Sequence, residues 1–325
     1  MTLTPYAGLG PDLILDAIES QAWQVDGRLS VLNSYENRVY QIGIEGGPPL
    51  IAKFYRPGRW SDAAILEEHQ FAFELVAREI PVVAPLQDAQ GVSLWTFQGF
   101  RFALFPRRGG RAPELDNEET LQWLGRFLGR IHAMGAIRPF VHRPLLGIAE
   151  FGEQAAEFLW RDFLPHEQRS AYRAASATLL KKIAAAYAAA GDVQAIRLHG
   201  DCHPGNILWT PEGPHFVDLD DARMGPAMQD LWMLLSGTRV QKLRQLGLIL
   251  DAYQDFYEFD TRELLLAEGL RALRIMHYAA WLARRWDDPA FPQNFPWFNT
   301  RAYWEEHIAA LQEQAMMMDE PALIY

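Results

Sequence analysis

The sequence is poor in features that would place it outside the cell or in a membrane. It contains a single cysteine, Cys202, so no intrachain disulfide can form, and we expect a reducing compartment such as the cytoplasm. No uncharged apolar run approaches about 18 residues, and residues 1–10 lack a basic segment followed by an apolar one. We therefore expect neither a membrane span nor a signal peptide.

Positive charge is also scarce. The 325 residues include 30 Lys and Arg against 41 Asp and Glu, which gives a formal net charge of −11. An acidic surface disfavours nonspecific binding to nucleic acids and anionic membranes, and it favours basic partners. Apolar residues, in contrast, make up 49% of the chain, enough for a well-buried core in one or two domains. We expect a monomer without nucleic-acid or membrane partners.

The hydrophobic pattern changes character near residue 105. Before it, the pattern predicts, in order, a helix (11–24), three strands (29–33, 38–44 and 50–55), a helix that begins after Ser61 (62–79) and two strands (92–97 and 100–105). After it, the pattern predicts mainly helices (116–134, 150–190 and 226–317). Residues 195–223 differ, because two short strands (207–209 and 215–217) lie there among acidic and histidine residues.

That unusual segment has the clearest chemistry. Asp201 lies in a loop, the amide of Asn206 follows five residues later, and a strand then leads to Asp218. Phosphoryl transfer needs a base near the attacking hydroxyl and hard oxygen ligands for Mg²⁺. The order His-Gly-Asp, Asn, then apolar-Asp matches the kinase catalytic and metal-binding loops. The pattern predicts Asp201 as the catalytic base, and Asn206 and Asp218 as metal ligands, with Asp218 also counted as catalytic.

Two other interpretations of this segment stay open. His199, Cys202 and His203 are residue types that bind zinc, but Cys202 and His203 are adjacent and no second ligand pair follows at the usual spacing. An acidic surface loop that closes a hairpin would explain the glycine and the proline. It would not explain an Asp and an Asn five positions apart before a strand that ends in Asp.

The earlier strands should supply a cation for the phosphates. Lys53 stands alone among apolar residues in the third strand, although a strand lysine is often only a solvent-facing residue. The following helix carries Glu67 and Glu68, and Glu68 lies on its apolar stripe. We predict that Glu68 pairs with Lys53, with Glu67 as the alternative. The predicted stripe consists of Ile65, Ala72, Leu75 and Val76.

The turn between the first two strands lacks glycine, which usually lets backbone N–H groups approach phosphates. Ser34 and Asn37 offer side-chain donors there instead. Glu36 would be repelled by a triphosphate unless it contacts a cation or the ribose. We predict Ser34, Glu36 and Asn37 as nucleotide-binding residues.

Three stretches of the sequence resemble one known family: residues 32–41, 198–209 and 280–292. They resemble the aminoglycoside phosphotransferase and choline kinase branch of the protein-kinase-like fold, and more narrowly the bacterial stress response kinase A family. The resemblance runs nearly from end to end. The third stretch lies outside the general kinase machinery, and for that reason it makes the narrower resemblance specific.

The resemblance implies an α+β, protein-kinase-like fold with two lobes. Residues 1–105 would form an N-lobe with an antiparallel sheet and one main helix, and residues 106–325 a mostly helical C-lobe. The implied cofactors are ATP and Mg²⁺, with Asp201 as the proton acceptor, Asn206 and Asp218 on the metal, and Glu36 in the ATP-site loop. Asp230 resembles a buried structural Asp of these folds.

The function implied by the resemblance is that of a Ser/Thr protein kinase of the stress-response type, with protein substrates that include the chain itself. A small-molecule kinase acting on an aminoglycoside, choline or another alcohol is the alternative, since it would use the same base and metal. A pseudoenzyme that only binds partners is opposed by the joint presence of Lys53, Asp201, Asn206 and Asp218.

Two departures from ordinary protein kinases lead to further expectations. His199-Gly200-Asp201 replaces His-Arg-Asp, so the arginine that would contact a phosphorylated activation loop is missing, and we expect constitutive activity. Cys202 directly follows the predicted base, which makes it a candidate point of oxidation or alkylation. Most free cysteines, however, are small buried hydrophobic residues.

Overall fold

The structure of the protein is a computed structural model that describes residues 5–323. The chain divides into two compact units. The first contains the described residues up to Pro113, together with Phe140–Arg143 and Gly205–Asp221. The second contains Glu114–Pro139, Pro144–Pro204 and the described residues from Ala222 onward. The predicted lobe boundary at residue 105 stays a prediction.

A five-stranded antiparallel sheet forms the centre of the first unit, with the spatial order β1-β2-β3-β5-β4. Helix α1 (Pro11–Glu19) packs Ile14 and Ile18 into the core of this sheet. Burial of such apolar side chains is the main stabilising contribution to a fold of this kind. The strands are β1 (Val25–Val31), β2 (Arg38–Ile44), β3 (Leu50–Phe54), β4 (Trp95–Phe97) and β5 (Phe100–Pro106).

The main helix of the first unit is α2 (Asp62–Val76). Ser61 caps it as predicted, because its hydroxyl accepts a hydrogen bond from the N–H of Ala64 at 3.2 Å. The helix ends three residues before the predicted position 79, since the chain turns away through Glu79 at a φ of 57°. The predicted stripe was wrong at its end, where Val76 is 47% exposed.

Other predicted boundaries in this unit were also wrong by a few residues. Strand β1 begins at Val25 instead of residue 29, because Val25 pairs with Ile44 ahead of an irregularity that breaks the alternating pattern. Strand β4 begins only at Trp95, because the Asp88 carboxylate accepts the N–H of Val92 and holds the preceding residues in a turn. Helix α1 ends at residue 19 instead of 24.

A hairpin from late in the sequence completes the first unit. It consists of β7 (Ile207–Thr210) and β8 (Gly213–Phe216). The Phe216 N–H donates to the carbonyl of Pro81 at 2.8 Å, and the Phe216 carbonyl accepts from Val83 at 2.9 Å. These backbone bonds attach the residues around Asn206 and Asp218 to the sheet-containing unit.

The second unit is mainly helical, with one short antiparallel strand pair, β6 (Ile196–Leu198) and β9 (Arg223–Gly225). Helices α3 and α7 approach closely, because a Cβ at Gly125 would lie 2.2 Å from the carbonyl oxygen of Ile249. The helices are α3 (Glu118–Gly135), α4 (Gln154–Phe158), α5 (His166–Ala190), α6 (Met228–Trp232), α7 (Arg239–Tyr253), α8 (Ala267–Ala283), α9 (Ala290–Asn294) and α10 (Arg301–Met317).

The regions 150–190 and 226–317 are mainly helical, as predicted, and each consists of several shorter helices. Pro165 separates α4 from α5, since Leu164 before it is extended, with a ψ of 142°. Thr238 caps the start of α7, and Asp260 caps a short 3₁₀ helix, Thr261–Leu266. The predicted fold class, α+β with an antiparallel sheet and one main helix before a mostly helical region, is confirmed. Within residues 5–323, no helix combines the length and apolar character that crossing a membrane requires.

Candidate active site

Lys53 lies on the central strand β3, and its ammonium faces three carboxylates. Its Nζ is 3.0 Å from Oδ1 of Asp218, 3.3 Å from Oδ1 of Asp220 and 3.8 Å from Oε1 of Glu68. The lysine side chain is only 8% exposed. Burial by itself lowers the pKa of Lys53, but the carboxylates outweigh it and hold the pKa above its ordinary value. The structure therefore brings Lys53, Glu68 and Asp218 together around a fixed positive charge.

Asp220 is the buried centre of this cluster. Its Oδ2 accepts hydrogen bonds from the Arg59 guanidinium and from the Asn37 amide, the latter at 3.1 Å. Arg59 also reaches Asp221 at 2.8 Å. Burial raises the pKa of Asp220, but Arg59 and Lys53 outweigh this effect and hold the pKa below its ordinary value. Asp220 is thus an ionised structural anchor between two cations.

The two glutamates of α2 have different contacts. Glu68 is buried, and besides Lys53 it bonds the Arg143 guanidinium at 2.8 Å. Glu67 instead accepts the backbone N–H groups of Val141 and His142, each at 2.7 Å. Glu68 is therefore the carboxylate that α2 places beside Lys53.

The turn between β1 and β2 supplies further polar groups to the first unit. Glu36 is buried with its carboxylate 3.6 Å from Arg56, so it has the cationic neighbour that its charge requires. The side-chain oxygen of Asn37 accepts the N–H of Arg56 at 3.1 Å. Ser34 is partly buried in the same turn.

Asp218 and Asn206 flank the two ends of the β7–β8 hairpin. The carbonyl of Asn206 accepts the N–H of Val217 at 3.0 Å, so Asn206 lies across from the residue before Asp218. Asp218 has a φ of 61°, and its side chain is 56% exposed, in contrast to the buried Asp220. An accessible carboxylate at one end of the hairpin and an amide at the other are the kinds of hard oxygen ligand that Mg²⁺ prefers, and exposure of Asp218 leaves room for the waters that Mg²⁺ retains.

Asp201 belongs to the second unit, where Arg274 of α8 contacts it. The Arg274 guanidinium donates to Oδ1 of Asp201, while the His203 ring lies 3.6 Å from Oδ2. The Asp201 side chain is 22% exposed. The carboxylate is thus accessible but held in one orientation, as a general base requires.

The backbone before Asp201 is clamped by α6. Asp230, fully buried, accepts the N–H of His199 at 2.9 Å and that of Gly200 at 2.8 Å. The amide of Gln229 donates to the Gly200 carbonyl at 3.1 Å, and Gly200 has a φ of 84° that favours glycine. Asp230 also contacts the His132 ring at 3.1 Å. Asp230 therefore fixes the backbone conformation of residues 199–200, immediately before Asp201.

Cys202 does not have the environment of a reactive thiol. It is fully buried, and burial raises its pKa well above the ordinary value, with Asp230 and Asp201 acting in the same direction. Reactivity requires the thiolate and access to reagents. The structure therefore contradicts the hypothesis that Cys202 is a redox-sensitive residue.

Sequence reasoning missed several members of these clusters. Arg59, Arg143 and Arg274 hold the acidic side chains in place, but each is far in sequence from its partner. Asp220 and Asp221 follow Asp218 after a single leucine, so the acidic run was a usable signal for them. A lone arginine in a loop or helix carries no comparable local signal.

The fold, the carboxylates around Lys53 and the oriented carboxylate of Asp201 are those of a protein-kinase-like phosphotransferase, and comparisons with known proteins agree. Residues 28–267 match the model of the phosphotransferase enzyme family. The chain is 49% identical to the stress response kinase A of Salmonella choleraesuis (strain SC-B67) over 319 residues, which cover 98% of this chain and 96% of the relative. It is equally similar to the serine/threonine protein kinase RdoA of Salmonella typhimurium (strain LT2), at 49% over the same shares. Among solved structures, amicoumacin kinase in complex with AMP-PNP and Ca²⁺ is similar in fold, with a TM-score of 0.72 at 18% identity, over 96% of this chain and 94% of that one.

The chain therefore belongs to the phosphotransferase enzyme family and, within it, to the stress response kinase A family. The resemblance noted from residues 32–41, 198–209 and 280–292 is confirmed, and so is the prediction that the protein is a kinase. The protein-kinase-like fold is confirmed as well.

Proposed function

We propose that this kinase uses ATP and Mg²⁺ to phosphorylate Ser and Thr hydroxyls of proteins, its own chain included, with Asp201 as the base. The main support for this reaction is the ion pair between Lys53 and Asp218. A buried ammonium and an exposed carboxylate lie 3.0 Å apart, so a phosphate-binding cation and a metal-binding anion are presented together. Such a pair is what transfer of a phosphoryl group to a hydroxyl requires of a protein.

The other residues take the following roles in this proposal. Asn206 and Asp218 hold Mg²⁺, which when bound neutralises charge on the phosphates. Lys53 contacts the phosphates, Glu68 orients Lys53, and Ser34, Glu36 and Asn37 belong to the nucleotide-binding loop. Asp201 accepts the proton of the acceptor hydroxyl. Its hydrogen bond from Arg274 holds the carboxylate in one orientation for this role.

The choice of a protein acceptor is supported by a named relative. The relative from Salmonella typhimurium is named a serine/threonine protein kinase, and it matches 98% of this chain. Arg274 lies directly against Asp201 and compensates its charge, so this pair by itself favours neither a cationic small molecule nor a protein hydroxyl.

An Asp201→Asn variant tests the proposal. Asparagine keeps the size of the side chain but cannot accept the proton, so phosphate transfer should fall by about 10²–10⁴-fold while nucleotide binding remains. The measurement is mass spectrometry of phosphoserine and phosphothreonine after incubation with Mg-ATP, together with binding of ATP by calorimetry.

The control for this experiment is Asp162→Asn, which alters an exposed carboxylate on the surface and should leave transfer unchanged. Equal phosphorylation by the Asp201→Asn protein and the wild type would refute the role of Asp201. Efficient transfer to aminoglycosides or choline, with no labelled protein, would instead establish the small-molecule alternative.

A further inference from the structure

The Phe140–Arg143 segment is attached to helix α2 through its backbone. Both oxygens of the Glu67 carboxylate are used, one for the N–H of Val141 and one for the N–H of His142, each at 2.7 Å. Hydrogen bonds to an ionised acceptor are stronger than those between neutral groups. The segment is therefore fixed at the point where it delivers the side chain of Arg143.

The Arg143 guanidinium joins two elements of the first unit. It donates to the carbonyl of Ala64 and to the carboxylate of Glu68, both on α2, each at 2.8 Å. It also donates to the backbone carbonyl of Asp220, again at 2.8 Å. The side chain is fully buried, and its guanidinium lies 4.8 Å from the centre of the Trp60 ring. The guanidinium suits this role because its N–H donors are spread over three nitrogens of one rigid plane, so each nitrogen bonds a different acceptor.

The loop that Arg143 holds is Asp218–Asp221, which contains the proposed metal ligand. Asp218 adopts a left-handed φ of 61°, a conformation that is unfavourable for a non-glycine residue and persists only where the surroundings hold it. Arg59 holds this loop through the side chains of Asp220 and Asp221. Arg143 holds it through the main chain and at the same time bonds Glu68, the residue beside Lys53.

We infer that Arg143 is a positioning residue of the phosphotransfer site. It ties the N-terminal half of α2, through Ala64 and Glu68, to the Asp218–Asp221 loop, so that Lys53 and Asp218 are held for the same Mg-nucleotide. The inference rests on the proposed function, because it assumes that Lys53 contacts phosphates and Asp218 the metal. Residues that orient metal ligands in this indirect way typically change metal affinity or activity by about 10–100-fold when replaced.

The test compares Arg143→Lys and Arg143→Met with a matched control, Arg101→Met. Arg101 also anchors the start of α2, but it does so through the Trp60 carbonyl at 2.8 Å and Asp62 at 2.7 Å. Calorimetry would measure the affinity for ADP with and without Mg²⁺, and initial rates would give the Mg²⁺ concentration for half-maximal phosphorylation. Thermal unfolding of each protein sets a measurement temperature at which all of them are folded.

We expect both Arg143 variants to weaken Mg-dependent ADP binding by about 10-fold or more and to raise the half-maximal Mg²⁺ concentration similarly. The Arg101→Met protein should lose some thermal stability yet bind Mg-ADP like the wild type. Arg143→Lys retains a positive charge beside Glu68, so it keeps the test valid if Arg143→Met does not fold. If the Arg143→Lys protein bound Mg-ADP as the wild type does, this inference would be overturned, while the proposed function would stand. Absence of Mg-dependent ADP binding in the wild type would overturn the proposed function, and this inference with it.

Discussion

Asp220 in the first unit and Asp230 in the second are both buried aspartates that anchor a loop, but they are held in different ways. Asp220 lies among cations, with Arg59 and Lys53 as its neighbours. Asp230 accepts backbone N–H groups from His199 and Gly200. Burial alone raises the pKa of each carboxyl. Arg59 and Lys53 outweigh it at Asp220, and the His132 ring, together with the N–H of Gly200, outweighs it at Asp230, so both pKa values lie below the ordinary value.

The difference shows two ways of stabilising a loop around a reactive carboxylate. Hydrogen bonds from the backbone fix a loop whose shape must not change, as in the residues before Asp201. A cluster of ion pairs presents side-chain charges, and these can be shared with a bound nucleotide and metal. We therefore expect the first unit to respond to Mg-nucleotide through Lys53 and Asp218, while the loop held by Asp230 stays the same.

The largest expected effect comes from breaking the cluster of the first unit. Replacing Asp220 with Ala leaves two buried cations without their shared carboxylate, which should lower the free energy of unfolding by about 3–5 kcal/mol. Urea denaturation at pH 7 would measure this change. Asp26→Ala is the control, since Asp26 pairs with Arg28 at the surface, where solvent screens the pair and it contributes little to stability. Equal effects of the two substitutions would show that the cluster does not stabilise the unit.

The pH dependence of stability tests how Glu263 holds α6, the helix that carries Asp230. Glu263 accepts the N–H of Met228 at the start of α6, which carries Asp230, and burial raises the pKa of Glu263 from 4.5 to about 7. Between these values the folded state binds more protons than the unfolded state, so the free energy of unfolding should fall as pH rises. A pKa difference of one unit corresponds to about 1.4 kcal/mol, so the decrease in unfolding free energy that Glu263 causes should approach about 3 kcal/mol.

Comparison with Glu263→Gln isolates that contribution, because the variant lacks the titrating carboxyl. The difference in unfolding free energy between the two proteins should change steadily from pH 4.5 to about 7 and then level off. A difference that is constant across this range would mean that Glu263 titrates at its ordinary pKa.

The smallest effect is expected from weakening the backbone clamp without removing it. Asp230→Asn keeps one acceptor for the N–H groups of His199 and Gly200 but places an amide where the second oxygen was. The cost should be about 1–3 kcal/mol, that of leaving a buried donor without its partner. Chemical denaturation would give the stability, and hydrogen exchange at Gly200 would report the loosened loop. Unchanged exchange at that amide would contradict the proposed clamp.

Local sequence patterns were sufficient for much of the fold. The apolar alternation located β2, β3 and β5 closely, and Ser61 marked the start of α2. Element ends were less accurate, because a turn at Glu79 or a capping residue at Thr238 is decided by hydrogen bonds that the hydrophobic pattern does not contain.

The sequence by itself determined which residue types are available for the chemistry. Lys53, Asp201, Asn206 and Asp218 follow from short motifs, since a base, metal ligands and a phosphate-binding cation need particular side chains at particular spacings. The choice of Glu68 over Glu67 also followed from the register of α2.

Only the tertiary structure decided what holds these residues in place. Arg143 bonds Glu68 across 75 positions of the chain, Arg274 bonds Asp201 across 73, and Arg59 bonds Asp221 across 162. A long guanidinium side chain can reach any carboxylate that the fold brings near it, so its partner is set by the packing of distant segments. The motifs thus indicate the groups that we propose to react, and the packing of the chain decides which arginines contact them.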